Sequence, residues 1–527
     1  MISSRNLIYT NILDLTNSAM DSQSSNTKIK LGALVLMIFS SIFGFSNSLT
    51  AFYQMGYASI IWYIVTAVLF FLPSALMFAE YGASFKAARG GIFSWLRGSI
   101  GEKPAFIGTF IWLAAWVIWL VSSTQFFLVS VSTMISGHDQ TQTWHLFGLS
   151  ANQTLGILEI VFLCIVTLIA SQGIDKIAKI SSFCGIFTLG ISIIFILASL
   201  LVWILGHGQL AEPMTATSLI HSPNTAFVSP IAVISFIVYA LFAYGGLETM
   251  AGVIDSVDQP ERTFPRAMII AMFLMTFIYI AVIFLCGVCT NWQAVLSGKK
   301  VDLANVEYVL INNMGLVTAQ KLGLSHAVGV MLGKAFARFT ALTDVLGGLG
   351  AAFVMTYSPI KSFIEGCDPR LLPKKLTAMN KYQMPSFAMW IQVIIVSVII
   401  LFVSFGGNAA GRFYTILTDM MNVSSSAPYL FLVGAFPFFK MKKNLARPFV
   451  FYKNMTVTWI VSMIVWLVLA VGIIFTCIEP ILEHDYATAF WTAIGPLAFG
   501  VVAWIYYSWA EHKHVLDDKP AAESNND

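Results

Sequence analysis

Glu248 is a carboxylate set in an apolar run. The stretch from Pro230 to Ile254 is long enough to cross a bilayer as a helix and contains Phe242-Ala243-Tyr244-Gly245-Gly246-Leu247-Glu248. The adjacent glycines weaken a helix at that point, and an acid in hydrocarbon is costly unless it faces protein, water or a bound solute. A helix broken at mid-depth leaves main-chain N–H and C=O groups that lipid cannot satisfy, so they must line a cavity. N–H groups at the start of a half-helix attract a carboxylate, and bare C=O groups attract an ammonium. An α-amino acid carries both. The chemistry this predicts is reversible solute binding, with Glu248 as a proton carrier whose occupancy a bound amine changes. The alternative is a kinked structural helix whose acid bonds a neighbour.

A second polar interruption lies at comparable depth in the first apolar run, Phe43-Gly44-Phe45-Ser46-Asn47-Ser48. Its hydroxyls and amide suit a polar solute, and small-residue helix packing explains them equally. Phe242 and Tyr244 flank the later break, where aromatics cap a ligand or merely pack. Asp344 in the eighth run, and Asp419 and Asn422 in the tenth, are further polar groups at depth. The expected substrate contacts are thus Phe43, Gly44, Ser46, Asn47, Ser48, Phe242, Ala243, Tyr244, Gly245, Gly246, Asp344 and Asn422, with Glu248 for proton coupling. Nothing in the chain suggests an enzyme: there is no P-loop, nucleophile elbow or His/Cys metal cluster. Gly347-Gly348-Leu349-Gly350 sits inside an apolar run, and Cys286-Gly287-Val288-Cys289 lacks a second ligand pair. No cofactor or metal is expected.

Twelve apolar runs must position these residues, from 31–55 to 486–509, with the sixth at 228–254. Hydrophobic residues make up 57 % of the 527, charged residues only 10 %, and the mean hydropathy is +0.79. Soluble domains carry about a quarter charged residues, so the chain reads as one polytopic helical bundle. A net charge of +3 gives no reason to expect nucleic acid. Residues 1–27 are polar and the first apolar run is too long for a signal peptide, so that run is expected to stay as an anchor. Basic residues alternate with the loops. Lys86, Arg89, Arg97 and Lys103 follow the second run, and Lys440, Lys442, Lys443 and Arg447 follow the tenth. Loops 137–153, 206–227 and 479–485 hold no Lys or Arg. The positive-inside rule puts both termini in the cytoplasm, with the long loop 291–332 as an exception. The layout is a tail at 1–27, a membrane domain at 28–509 and a tail at 510–527. Two interrupted runs five apart suggest an inverted repeat, runs 1–5 against 6–10, with two runs appended. Gly90-Gly91-Ile92-Phe93-Ser94-Trp95 in the first basic loop reads as an amphipathic interfacial helix, either a gate or a passive anchor.

These motifs together resemble the amino acid–polyamine–organocation (APC) superfamily. The Gly90–Trp95 segment after Glu80 is similar to its GG-aromatic-W loop, and Phe242 through Glu248 to its broken sixth helix. Gln259-Pro260-Glu261-Arg262 with Phe264-Pro265-Arg266-Ala267 is similar to its cytoplasmic turn after that helix. The likeness is greatest to the glutamate/γ-aminobutyrate antiporter branch. It implies an all-α LeuT-type 5+5 inverted repeat with discontinuous helices 1 and 6, and secondary transport of amino acids or related amines by alternating access, through antiport or proton coupling. A polyamine carrier of the same fold is the alternative, with a channel or membrane enzyme behind it. A bacterial inner membrane and a small-molecule partner follow. Phe242 would be the gating aromatic, Gly245 and Gly246 the unwound segment. Counted from Gly32, the family's Gly-Ser-Gly falls on Ser46-Asn47-Ser48, which lacks both glycines.

Overall fold

The computed structural model describes residues 28–513 except 138, 299–300, 302–305, 407 and 483, and leaves the side chains of 122, 125, 408–422, 424–425 and 487–488 undescribed. The tails at 1–27 and 514–527 therefore lie outside the described residues. The apolar runs become α1 (Leu31–Ile42), α2 (Phe45–Met55), α3 (Ala58–Ser84), α5 (Glu102–Ser136), α6 (Ala151–Ala170), α7 (Ile174–Leu205), α8 (Pro230–Ala243), α9 (Pro260–Cys289), α11 (His326–Ile364), α12 (Ser386–Phe405), α13 (Asn408–Met441), α14 (Met455–Leu482) and α15 (Tyr486–His512). Between them lie α4 (Gly91–Ile100) and α10 (Val306–Lys321). Among the described residues ten helices are long and apolar enough to cross a membrane, and the bent pair α1 and α2 makes an eleventh. The 34-residue α13 occupies the expected tenth run but stands outside that count. Among the described residues the one β contact is a parallel bridge between Ile29 and Val257.

Local chemistry sets these boundaries. Ser150 and Gln153 form a reciprocal capping box that starts α6, and Ser229 caps α8 ahead of Pro230. A π-helical turn at Ala67–Phe71 interrupts α3 just before Pro73, whose ring cannot donate to the preceding turn. The wider turn carries Phe70 and Phe71 toward the centre of the bundle. The outer faces of α14 and α15 expose Trp459, Trp491, Trp504 and Trp509, as helices bathed in lipid do.

The Gly90–Trp95 segment departs from expectation. It forms α4, but Ile92, Phe93, Trp95 and Leu96 are buried in the bundle rather than spread on an interface. Trp95 stacks flat on Tyr81 of α3, with ring centroids 5.3 Å apart. An amphipathic aromatic pattern suits a protein groove as well as a membrane surface, so the sequence alone does not separate the two.

Glu80, at the end of α3, is wholly buried and fully satisfied. It pairs with Lys440 of α13 at 2.6 Å and accepts the N–H groups of Phe451 and Tyr452 at 2.7 and 2.8 Å. Glu80→Ala strands a buried ammonium and two N–H groups, a loss of about 3–5 kcal/mol. The thermal midpoint of the detergent-solubilised protein should fall sharply. A Glu80→Met, Lys440→Met double variant should recover most of it.

Candidate binding site at two helix breaks

The first break lies between α1 and α2, which meet at a 42° bend. Phe43 (φ −73°, ψ 120°) and Gly44 (φ −104°, ψ 112°) are extended there. The Asn47 side chain fills the space a Cβ on Gly44 would need. This corrects the register expected from the sequence: the break falls at Phe43-Gly44, and Ser46, Asn47 and Ser48 are wound into α2. The Asn47 N–H returns to the Gly44 carbonyl at 3.1 Å, which closes the first turn and consumes the groups that would have been bare. One glycine therefore remains at the break.

The second break follows α8. Gly246 has φ +114° and ψ −7°, a conformation that glycine adopts without strain. Beyond it the chain runs as a 3₁₀ helix, Leu247–Ser256, packed so closely on α11 that Gly252 has no room for a side chain beside Ser358. The Gly246 N–H donates to the Tyr429 hydroxyl at 2.8 Å.

One phenol ties the breaks together. Tyr279 of α9 donates to the Ala243 carbonyl at 3.0 Å and accepts from the Gly44 N–H at 3.3 Å and Asn47 Nδ2 at 3.4 Å. Tyr239 donates to Asn47 Oδ1 at 3.2 Å, and Tyr63 to the Asn47 carbonyl at 3.3 Å. Sequence reasoning missed Tyr63, Tyr239, Tyr279 and Tyr429. The available signal was a phenol deep in an apolar run, which must find a partner for its hydroxyl.

Two cavities flank the breaks. One, of about 250 Å³, is lined by Phe242, Gly245, Gly246 and Glu248 together with Trp116, Tyr429 and α14. The other, of about 480 Å³, is lined by Phe43, Gly44, Ser46 and Asp344. Of the remaining expected contacts, Asn47 and Ala243 bond to tyrosines, and Tyr244 is buried, stacked on Phe71 at 4.4 Å. Ser48 is buried with its hydroxyl unpaired. These four line neither cavity. The side chain of Asn422 lies outside the described residues, as does that of Asp419.

Trp112 Nε1 donates to Glu248 Oε1 at 3.0 Å, whereas Oε2 is buried with no hydrogen-bond partner among the described residues. In the larger cavity Asp344 accepts from the Tyr308 hydroxyl at 3.3 Å, and Glu307 adds a second carboxylate whose Oε1 has no partner. Glu307 and Tyr308 come from α10, a helix inside the loop 291–332, and Asp344 from α11. Among the described residues, no Lys, Arg or His lines either cavity.

A third and larger cavity, about 880 Å³, opens at the end of the bundle that bears the basic loops. Asp255, which ends the 3₁₀ helix, pairs there with Lys361 at 2.6 Å and Arg89 at 3.6 Å, and Arg89 reaches Glu365 at 3.3 Å. Burial raises the Glu365 carboxyl above its usual range, against the pull of Lys361 and Arg89. Asp368 nearby is lowered, chiefly by its hydrogen bonds from Arg370. The extended segment at 28–30 joins this cluster. Ile29 exchanges main-chain bonds of 2.9 and 3.0 Å with Ser256 and Asp258, and Lys28 Nζ bonds the Asp255 carbonyl at 2.8 Å.

Residues 29–504 match the family described as Amino acid permease. The chain is 42 % identical to the inner membrane transporter YjeM of Salmonella typhimurium, over 94 % of this chain and 99 % of that one. It is 26 % identical to a glutamate/gamma-aminobutyrate antiporter of Lactococcus lactis subsp. lactis, over 78 % of each. Among solved structures, a mutant of the Eremococcus coleocola manganese transporter matches with a TM-score of 0.55 at 11 % identity, covering 92 % of this chain and 94 % of that one. That likeness shows the shared LeuT-like fold.

Proposed function

The chain belongs to the amino acid permease family and is a membrane transporter, and from that premise we propose that it carries amino acids or related amines by alternating access around the two helix breaks. The observation that carries this reading is the joint one: two unwound segments bridged by Tyr279, beside a cavity with a carboxylate oxygen left unpaired. An ammonium supplies a donor to the Glu248 carboxylate, and a proton neutralises that carboxylate when the ammonium has left. Exchange of one for the other couples transport to the proton gradient. The named antiporter among the relatives supports an amine-bearing substrate. A polyamine or other organic amine is the second reading, favoured by the carboxyls of Glu248, Glu307 and Asp344 with no basic side chain among the described residues of either cavity wall.

In this reading spans 1–5 and 6–10 form the inverted repeat, and the cluster around Asp255 is the inner gate. The positive-inside pattern of the basic loops supports an orientation with that end and both termini in the cytoplasm, in an inner membrane. The test is uptake and counterflow in proteoliposomes, with a labelled panel of amino acids and amines under an imposed pH gradient. Saturable exchange of at least one amino acid or amine is the expected result. No movement of any panel member, or currents far above carrier turnover, overturns it.

A further inference from the structure

The smaller cavity holds two orphaned polar atoms of opposite kind. Among the described residues, Glu248 Oε2 is an acceptor without a donor, and Trp116 Nε1 is a donor without an acceptor. Both residues are more than nine-tenths buried, at 0 % and 8 % exposure, and both line this space. A buried polar group left unsatisfied is costly, and two in one cavity mark a place where a ligand supplies the partners.

The other walls define that ligand further. Phe70, Val238, Leu241, Leu469 and Ile473 are apolar, and Trp119 closes the side next to α1. Leu469, Gly472 and Ile473 come from α14, one of the two helices outside the proposed repeat. Gly472 sets the depth on that side: a Cβ there would lie 3.3 Å from Leu241 Cδ1. At about 250 Å³ the space is small beside the roughly 300–1,000 Å³ of common ligand pockets. A carboxylate brought in beside Glu248 would meet a like charge, with no Lys, Arg or His among the described residues of the wall to offset it.

We propose that this cavity clamps a small amine with an apolar body, its ammonium on Glu248, an acceptor atom where it has one on Trp116 Nε1, and its apolar part against Leu469, Gly472 and Ile473 of α14. This rests on the transport reading above and narrows its substrate class. It excludes acids with a second carboxylate, although a relative is named for glutamate.

The test uses the full chain in nanodiscs, with binding of 3-methylbutylamine, ethylamine and L-glutamate read by tryptophan fluorescence. The expected order is 3-methylbutylamine tightest, ethylamine weaker and L-glutamate at least tenfold weaker than the first. Gly472→Leu fills the apolar end and should cut the affinity ratio of the branched amine over ethylamine by about tenfold. Ile473→Phe, at the next position of α14, adds bulk at the same end and should move the ratio the same way, so the result does not hang on one variant folding. Preferred binding of L-glutamate, no binding of any probe, or a ratio unchanged in both variants overturns the assignment. Liposome transport separates the two readings. Glutamate carried equally by wild type and Gly472→Leu sinks the pocket and leaves the transporter. The predicted binding order without movement of any solute sinks alternating access and leaves the pocket.

Discussion

Glu248→Gln uncouples accumulation from the pH gradient. A difference of one pH unit is worth about 1.4 kcal/mol per proton, so a carrier moving one proton with each substrate sustains about tenfold accumulation. The amide is nearly isosteric. Its oxygen still accepts from Trp112 Nε1, and its NH₂ takes the place of the unpaired Oε2, so fold and insertion should survive. What it lacks is a proton to exchange. With an imposed one-unit gradient, the internal to external ratio of labelled substrate should fall from about ten toward one. Wild-type accumulation in this variant would remove Glu248 from the coupling. Exchange without a gradient reports on binding alone and should weaken too, because the amide turns an N–H toward the place of the ammonium.

Gly246→Leu should all but abolish transport while leaving most of the bundle intact. Two penalties add at this residue. A side chain at φ +114° costs on the order of 1–3 kcal/mol. A Cβ would also press on Ile42 Cγ1 at 3.3 Å, and the rest of the leucine must enter the break or the adjoining cavity. Ile42 ends α1, so the clash pushes the two broken helices apart. Ångström-scale misplacement of a positioned group costs roughly a hundredfold in catalysis, and a comparable drop in uptake is expected here. Gly246→Ala keeps the backbone penalty but little of the bulk, and should retain measurable exchange. Equal rates for both variants would mean that the break is not where the solute is held.

Much of this architecture was readable because hydrophobicity is a one-dimensional signal. An apolar run long enough to cross a membrane becomes a helix whatever it packs against, and Gly245-Gly246 beside Glu248 announces its own break. The first break was harder. Counting from Gly32 placed it on Ser46-Asn47-Ser48, because polar residues in an apolar run look like an interruption. In the folded chain they are wound into α2, and the quieter Phe43-Gly44 is extended. The tyrosine bridge was out of reach: Tyr279 bonds Gly44 across 235 positions and Ala243 across 36, and no local pattern encodes such pairing. Glu307 was hidden for a different reason. It sits in a loop whose charge pattern said only that it was long, and its meeting with Asp344 depends on how α10 folds back over α11.

The junction of Ile29 with Ser256 and Asp258 uses only main-chain atoms. Its strength is therefore indifferent to which side chains occupy those places, apart from a proline at Ile29 or Asp258, either of which would delete a donor. Mutational drift can erase any sequence signature there while the tether holds. A purification tag fused at the amino terminus would hang from a segment fastened to the end of the sixth helix. Studies that need that helix to move unhindered are better served by a handle at the other terminus.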